Sequence, residues 1–386
     1  MVTSTGWTLA VDLGTTSTAA AIRRADGQVE PVRLGAVADT MPSAVLLADG
    51  QWRAGQAALD MRPSYRETFV SSPTSRLGDG PLVLGEHLVT PEQIVAQVLD
   101  AVLEHAVRAS EGVYPTRLVL THPVRWSTEQ LAAMREAARL SGFGSDQVVL
   151  LAEPVAVVHA GGTSWEPGAQ AAVVDLGAGT CDVTVVHVTD DPVPGKDVVV
   201  LAHESDPSAG GEHLDDLLHT WTTDELIRTG HADLVQELGH PHAFAAAVSV
   251  RAAVHDARHA LSEHDSAQLD ICVLDREVTV TITREQFQAL AAPAVRTVSA
   301  MVTNLGDQPT TLFVVGGVSS TPCLAQAVHD ATTVVPTAVP QPAVVTGALH
   351  TPWAVLTPDR LFTLTAERVR ARQPEPVPEV LEPPVS

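Results

Sequence analysis

Two stretches of this chain repeat one pattern, and few folds accommodate both. Residues 9–22 read LAVDLGTTSTAAAI and residues 172–186 read AVVDLGAGTCDVTVV. Each is an apolar run ending in Val-Asp-Leu-Gly, followed by small and hydroxyl residues and a second β-type run. That reads as strand, tight turn, strand, twice in one chain. Asp12 and Asp175 lie too far apart for a solenoid repeat, so the pattern points to two similar half-domains.

The chemistry of such a hairpin suits a polyphosphate. Gly14, Gly177 and Gly179 let the backbone turn and approach a ligand closely. The amides of Gly14, Thr15, Thr16 and Ser17, and those of Ala178, Gly179 and Thr180, can form an anion-binding nest with hydroxyls as further donors. Asp12 and Asp175 would repel a phosphate directly but can hold hydrated Mg²⁺ against one. One Asp-Leu-Gly alone is an ordinary β-turn; two copies, each with its Asp at a strand end, argue for a site.

Composition removes several alternatives. The 386 residues suffice for two or three domains, and 46 acidic against 23 basic residues give a net charge of −23. That balance argues against nucleic acid and against an anionic membrane surface as partners. No apolar run reaches membrane-spanning length and no signal peptide is evident, so a cytoplasmic protein is expected. Cys181, Cys272 and Cys323 are too scattered for a disulfide framework or a zinc site. His231, His240, His242, His255, His259 and His264 form a loose group without HExxH or Cys partners and read as solvated positions. Lys196 is the single lysine.

Along the chain, caps announce the helices. Thr90-Pro91-Glu92-Gln93, Ser127-Thr128-Glu129-Gln130 and Thr283-Arg284-Glu285-Gln286 are capping-box sequences. Residues 117–121 and 148–151 read as buried strands, and Glu153-Pro154 opens a short helix. Residues 48–89 read as loop-rich, 243–264 as helix, 269–282 as two strands and 312–315 as a last buried strand closed by Gly316-Gly317. The order is α/β throughout. From Gln373 the sequence QPEPVPEVLEPPVS reads as a disordered tail.

With these pieces in place, the chain resembles the actin-like ATPases, and within them the nucleotide-binding domain of the 70-kilodalton heat-shock chaperones. VDLGTTST and VVDLGAGTCDVTVV look like that family's two phosphate loops, and LLAEPVAVVHAGG is similar to its connecting helix. AGGEHLDDLL, ARHALS and LFVVGGVSSTP resemble its later nucleotide-binding segments. The resemblance implies an α/β actin-like fold, with two duplicated lobes of ribonuclease H-like core around a nucleotide cleft. Residues 1–170 would form the first lobe and 171–360 the second, with an insertion subdomain at about 204–290 and an acidic Pro-rich tail at 361–386.

It further implies ATP or ADP with Mg²⁺ as cofactors. Asp12 and Asp175 would hold the metal through water, Glu153 and Asp182 would orient the attacking water and take its proton, and Thr180 would contact the γ-phosphate. Gly210, Gly211, Arg258, His259, Ser262, Gly316, Gly317 and Ser319 would complete the nucleotide site. A protein partner is expected as well.

The chain also departs from this family. No lysine stands in the Arg-Leu stretch of residues 72–78, where the chaperones keep one for γ-phosphate hydrolysis; Arg76 is the available substitute. Val318-Ser319-Ser320 replaces a segment with a base-stacking arginine, which predicts weaker and less selective adenine binding. Leu131 replaces an arginine that signals to the substrate domain, and no β-rich domain follows residue 360, so peptide clamping by this chain alone is not expected. A slowly hydrolysing nucleotide switch is the leading reading. A non-hydrolysing scaffold or filament protein of the actin fold stays open, as does a metabolite kinase, in whose branch DLGTTST also occurs.

Overall fold

The structure, a computed structural model, describes residues 6–351 apart from 37, 161–164, 190–196, 306–308, 338 and 340–341. The expected tail at 361–386 and the single lysine, Lys196, lie outside the described residues.

The first lobe opens with β1 (Thr8–Leu13), β2 (Ser17–Arg23), β3 (Val29–Pro31) and β4 (Thr40–Pro42). Small elements follow: β5 (Val45–Ala48), β6 (Gln51–Ala54), α1 (Gln56–Met61), β7 (Phe69–Val70), β8 (Leu82–Leu84) and β9 (His87–Val89). The lobe continues through α2 (Pro91–Ala109), β10 (Arg117–His122), α3 (Thr128–Leu140), β11 (Val148–Ala152) and α4 (Glu153–Ala160). The second lobe begins with β12 (Gln170–Leu176), β13 (Cys181–Val188) and β14 (Val198–Asp206). Next come α5 (Gly211–Arg228), α6 (Ala232–Leu238), α7 (Phe244–Glu263), the hairpin β15 (Ser266–Val273) and β16 (Arg276–Thr283), and α8 (Arg284–Thr303). The described fold closes with β17 (Thr311–Val315), α9 (Pro322–Asp330), β18 (Pro336–Thr337) and α10 (Ala343–His350).

The two central sheets share one plan. The first runs β11-β10-β1-β2-β3, with β4 also on β2; the second runs β18-β17-β12-β13-β14. In each, the strand ending in Val-Asp-Leu pairs antiparallel with its hairpin partner and parallel with a later buried strand. This is the duplicated α/β architecture of the actin-like fold.

All three capping boxes form, at Thr90, Ser127 and Thr283. Each satisfies two backbone donors at once and fixes where its helix starts. The segment expected to be loop-rich instead holds a three-stranded sheet, β6-β5-β7, and the hairpin β8-β9. Its strands are two to four residues long and carry almost no readable period.

Two helices hold the sheets together. α4 leaves the first sheet and packs towards β12, β13 and β14, whereas α10 returns from the far end of the chain onto β1, β2, β3 and β10. They cross in a shared apolar core with Val119, Val173, Phe313, Val157, Val345 and Ala348 buried in it. Each buried valine or phenylalanine there contributes about 1.5–3 kcal/mol.

A second contact joins the lobes. The Arg62 guanidinium lies 4.9 Å from the Phe69 ring and 5.9 Å from Phe244 at the start of α7, and Arg66 lies 4.5 Å from the same Phe244. Among the described residues, no helix is long and apolar enough to cross a membrane.

At the helix crossing, a Cβ on Gly347 would lie 1.9 Å from the Ala156 carbonyl oxygen. Gly347→Ala should therefore part the helices at a cost of about 1–3 kcal/mol or more. Gly80 meets nothing within 4 Å, so Gly80→Ala should be near neutral. Denaturant melts of the two variants check this.

Candidate functional site

The two hairpins place their carboxylates at one end of a cleft of about 820 Å³ between the lobes. β1 delivers Asp12, whose Oδ1 accepts a hydrogen bond of 2.9 Å from Thr121 on β10. β12 delivers Asp175, which pairs in register with Asp182 on β13. Glu153, the first residue of α4, follows β11 directly and lines the same end.

Asp182 is the best-partnered of the four. It accepts a bond from the Thr180 hydroxyl, its Oδ1 lies 3.0 Å from His203 Nε2, and Arg125 Nη1 approaches Oδ2 at 3.2 Å. His203 comes from β14, and Arg125 from the loop between β10 and α3.

Burial shifts Asp12, Asp175 and Glu153 upward, with crowding added at the last two. Burial lifts Asp12 to about 6 against the hydrogen bond from Thr121. Burial, then Asp182 and Asp12, lifts Asp175 to about 7, with Arg125 opposing. Glu153 rises well above the ordinary carboxylate range through burial and then repulsion from Asp12, Asp175 and Asp182, again opposed by Arg125. Like charges held together in a poorly solvated place disfavour the charged form.

The loops that follow face each other. A Cβ on Gly179 would meet Thr15 Oγ1 at 3.1 Å, so the second hairpin's turn lies against the first's. Gly14, Thr15, Thr16, Ser17, Gly177, Ala178, Gly179 and Thr180 all line the cleft. Gly316 has φ +92, and a Cβ there would meet Asp175 at 2.4 Å and the Leu176 carbonyl at 2.3 Å, so only glycine lets this loop approach. Gly317 and Ser319 continue the same wall.

Gly210 and Gly211 stand outside that lining and support the second turn from behind. Gly211 N–H donates to Gly177 O at 3.0 Å and Glu212 N–H to Ala178 O at 2.7 Å, while a Cβ on Gly210 would meet the Gly179 carbonyl at 2.6 Å.

The far wall comes from α7. Arg258 and His259 line the cleft, together with His255 one turn earlier; Ser262, one turn later, does not. Arg258 is buried and donates through Nε to Asp215 Oδ1 on α5, and His255 Nδ1 lies 3.0 Å from Asp215 Oδ2. Burial alone would raise the Asp215 carboxyl, but His255 and Arg258 outweigh it and hold it below its ordinary value. Burial, then Arg258 and His255, pushes His259 down. The wall is thus two imidazoles around a pinned guanidinium.

Arg76 does not reach the cleft. Its side chain is 54% exposed and 3.9 Å from Asp79, whereas Thr74 and Ser75 beside it line the cleft. The residues that sequence reasoning missed are Arg125, His203, Thr121, Asp215 and His255. Thr121 and Arg125 lie within LTHPVRW and Asp215 within AGGEHLDDLL, segments that resemble the family's but give these side chains no role there, while His255 carried only helical spacing to Arg258 and His203 stands in no motif.

No group of three or more His, Cys, Asp or Glu side chains among the described residues is arranged to hold a metal. Asp12 and Asp175 nonetheless suit Mg²⁺, which keeps much of its water and takes one or two carboxylates plus phosphate. Burial penalises the charged form of both, and at Asp175 the neighbouring Asp182 and Asp12 add to that penalty, which a dication would relieve.

A family model described as Hsp70 protein matches residues 80–361. The chain is 26% identical to Chaperone protein DnaK of Thermoplasma volcanium over 343 residues, covering 83% of this chain and 54% of that protein. It is 31% identical to a Chaperone protein HscA homolog of Bordetella petrii over 309 residues, covering 74% of this chain and 46% of that protein. To Chaperone protein HscA of Pectobacterium carotovorum it is 31% identical over 208 residues, which is 54% of this chain and 30% of that protein. The chain spans about half the length of the first two relatives.

A carboxyl raised to about 7 destabilises the folded state once it ionises, so its penalty is full at pH 8 and fades as pH falls through 7. Asp175→Asn should raise the thermal midpoint at pH 8 in the presence of a chelator, and the gain should shrink towards pH 5. Melts of both proteins across that range check the sign.

Proposed function

The chain belongs to the Hsp70 protein family, and from that premise we propose that it binds Mg-ATP between its lobes and hydrolyses it slowly, as a nucleotide switch for a protein partner. The observation that carries this reading is the convergence of Asp12, Glu153, Asp175 and Asp182 on one end of a cleft whose rim is two opposed glycine-containing turns.

The triphosphate would lie along the turns of residues 14–17 and 177–180, whose amides and hydroxyls suit its oxygens. Asp12 and Asp175 would hold Mg²⁺ through water. When bound, the ion supplies charge neutralisation to the β- and γ-phosphates. Glu153 and Asp182 would orient a water in line with the terminal phosphorus. As the water oxygen bonds to phosphorus, the bond to the bridging oxygen breaks and its electron pair leaves with ADP. The water's proton passes to one of the two carboxylates, and Glu153, whose affinity for a proton is raised, is suited to share it. Such a transfer depends on positioning and charge more than on covalent chemistry.

The nucleoside would face His255, Arg258, His259, Gly317 and Ser319. With Arg258 tied to Asp215, that wall offers imidazole faces more than hydrogen bonds directed at a particular base edge, which suits loose base selectivity. A cytoplasmic setting is part of the reading and is compatible with the free thiols of Cys181, Cys272 and Cys323.

Single-turnover phosphate release from Mg-ATP, with protein in excess, tests the reading. Asp182→Asn should slow release by about 10²-fold or more, and chelation of divalent cations should stop it. Release that persists in the variant would expose a contaminating ATPase. No release from the wild-type chain over hours would leave a protein that only binds nucleotide.

A further inference from the structure

Among the described residues, Arg125 and Arg258 are the only arginines or lysines that line the cleft. Arg258 is buried on the α7 wall and committed to Asp215. Arg125 is the cation at the carboxylate end, and its charge is felt by both Glu153 and Asp175. Arg76, the substitute expected from sequence, points away to Asp79.

The backbone that carries Arg125 is well fixed. Just after it, Ser127 closes a capping box with Gln130. Trp126 stacks on His122 at 6.1 Å between ring centres, with an interplanar angle of 20°. The side chain is less committed. Among the described contacts only Nη1 is engaged, at 3.2 and 3.4 Å from the two Asp182 oxygens, and the side chain is 36% exposed. A guanidinium with donors to spare, beside a carboxylate that has two other partners, can change partner without leaving either group bare. Planar two-pronged donation also matches a phosphate.

From this geometry we infer that Arg125 is the terminal-phosphate sensor of the cleft: it leaves Asp182 for the γ-phosphate of a bound triphosphate. The inference rests on the nucleotide reading above and adds a residue to it. Two consequences follow from one movement. The terminal phosphate gains a cation that a diphosphate cannot reach, so the cleft distinguishes the two nucleotides. Asp182, still held by Thr180 and His203, loses the guanidinium and is free to take the proton of the attacking water. The phosphate to be cleaved thereby uncovers the base that assists its cleavage.

Calorimetric titration of the full chain with Mg·AMP-PNP and with Mg·ADP tests this, using wild type, Arg125→Ala, Arg125→Lys and Arg76→Ala. Arg125→Ala should weaken the triphosphate analogue by about 10- to 100-fold while changing ADP by less than about threefold. Arg125→Lys should recover part of the difference, and Arg76→Ala should behave as wild type. Equal losses for both nucleotides in Arg125→Ala, or no loss for either, would overturn the proposal while leaving the nucleotide cleft intact. Wild type that binds neither nucleotide would overturn the cleft reading and this inference together. If Arg125→Ala proves too unstable to titrate, the ratio of the two affinities in Arg125→Lys decides: an unchanged ratio counts against the sensor.

Discussion

Where α4 crosses α10, the Ala156 carbonyl lies so close to Gly347 that no side chain fits between the helices. One helix leaves the first sheet and the other returns to it from the end of the second lobe, so this contact ties together segments that the second lobe separates in sequence. The apolar core around it fixes the distance between two sheets of identical plan. With that distance set, the ends of β1 and β12 must face each other, and Asp12 and Asp175 with them. The electrostatics of the cleft is a consequence of the packing beneath it.

Crowded carboxylates would be a poor use of a protein interior unless something offsets them. Burial pushes Asp12, Asp175 and Glu153 towards their neutral forms, and repulsion from neighbouring carboxylates adds to it at Asp175 and Glu153. A metal-bound polyphosphate suits that arrangement because its cation meets the acids while its anionic part meets the amides of the turns. Asp182 differs from the other three: a hydroxyl, an imidazole and a guanidinium all reach it. Its environment is already assembled before any ligand chemistry is considered.

Much of this frame was legible in the sequence. The repeated hairpins announced themselves because Asp-Leu-Gly occurs twice, each time with its Asp at a strand end, and the caps at Thr90, Ser127 and Thr283 mark where their helices begin. Residues 48–89 were not legible, since strands of two to four residues show too few alternations to be told from loops. Nor could the sequence reveal that α10 packs on the first sheet, because helical pattern gives an apolar face but not its partner. Arg125 and Arg76 illustrate the same limit at the level of one side chain. Both stand in short connecting segments, and only the fold decides that one points at Asp182 and the other away from the cleft towards Asp79.

The contact between Arg62, Arg66 and Phe244 gives the lobes a second attachment of a different kind. It pairs cations with the face of a ring rather than with carboxylates. Burial, and then repulsion from Arg251, lowers the proton affinity of Arg62, so its charge is held at some cost. Parting the lobes around the α4–α10 crossing would draw Phe244 away from both guanidinium groups. The apolar part of that event becomes harder as the hydrophobic effect strengthens with warming, while hydration of the released cations favours it most in the cold. Breathing of the cleft should therefore follow temperature more closely than ionic strength.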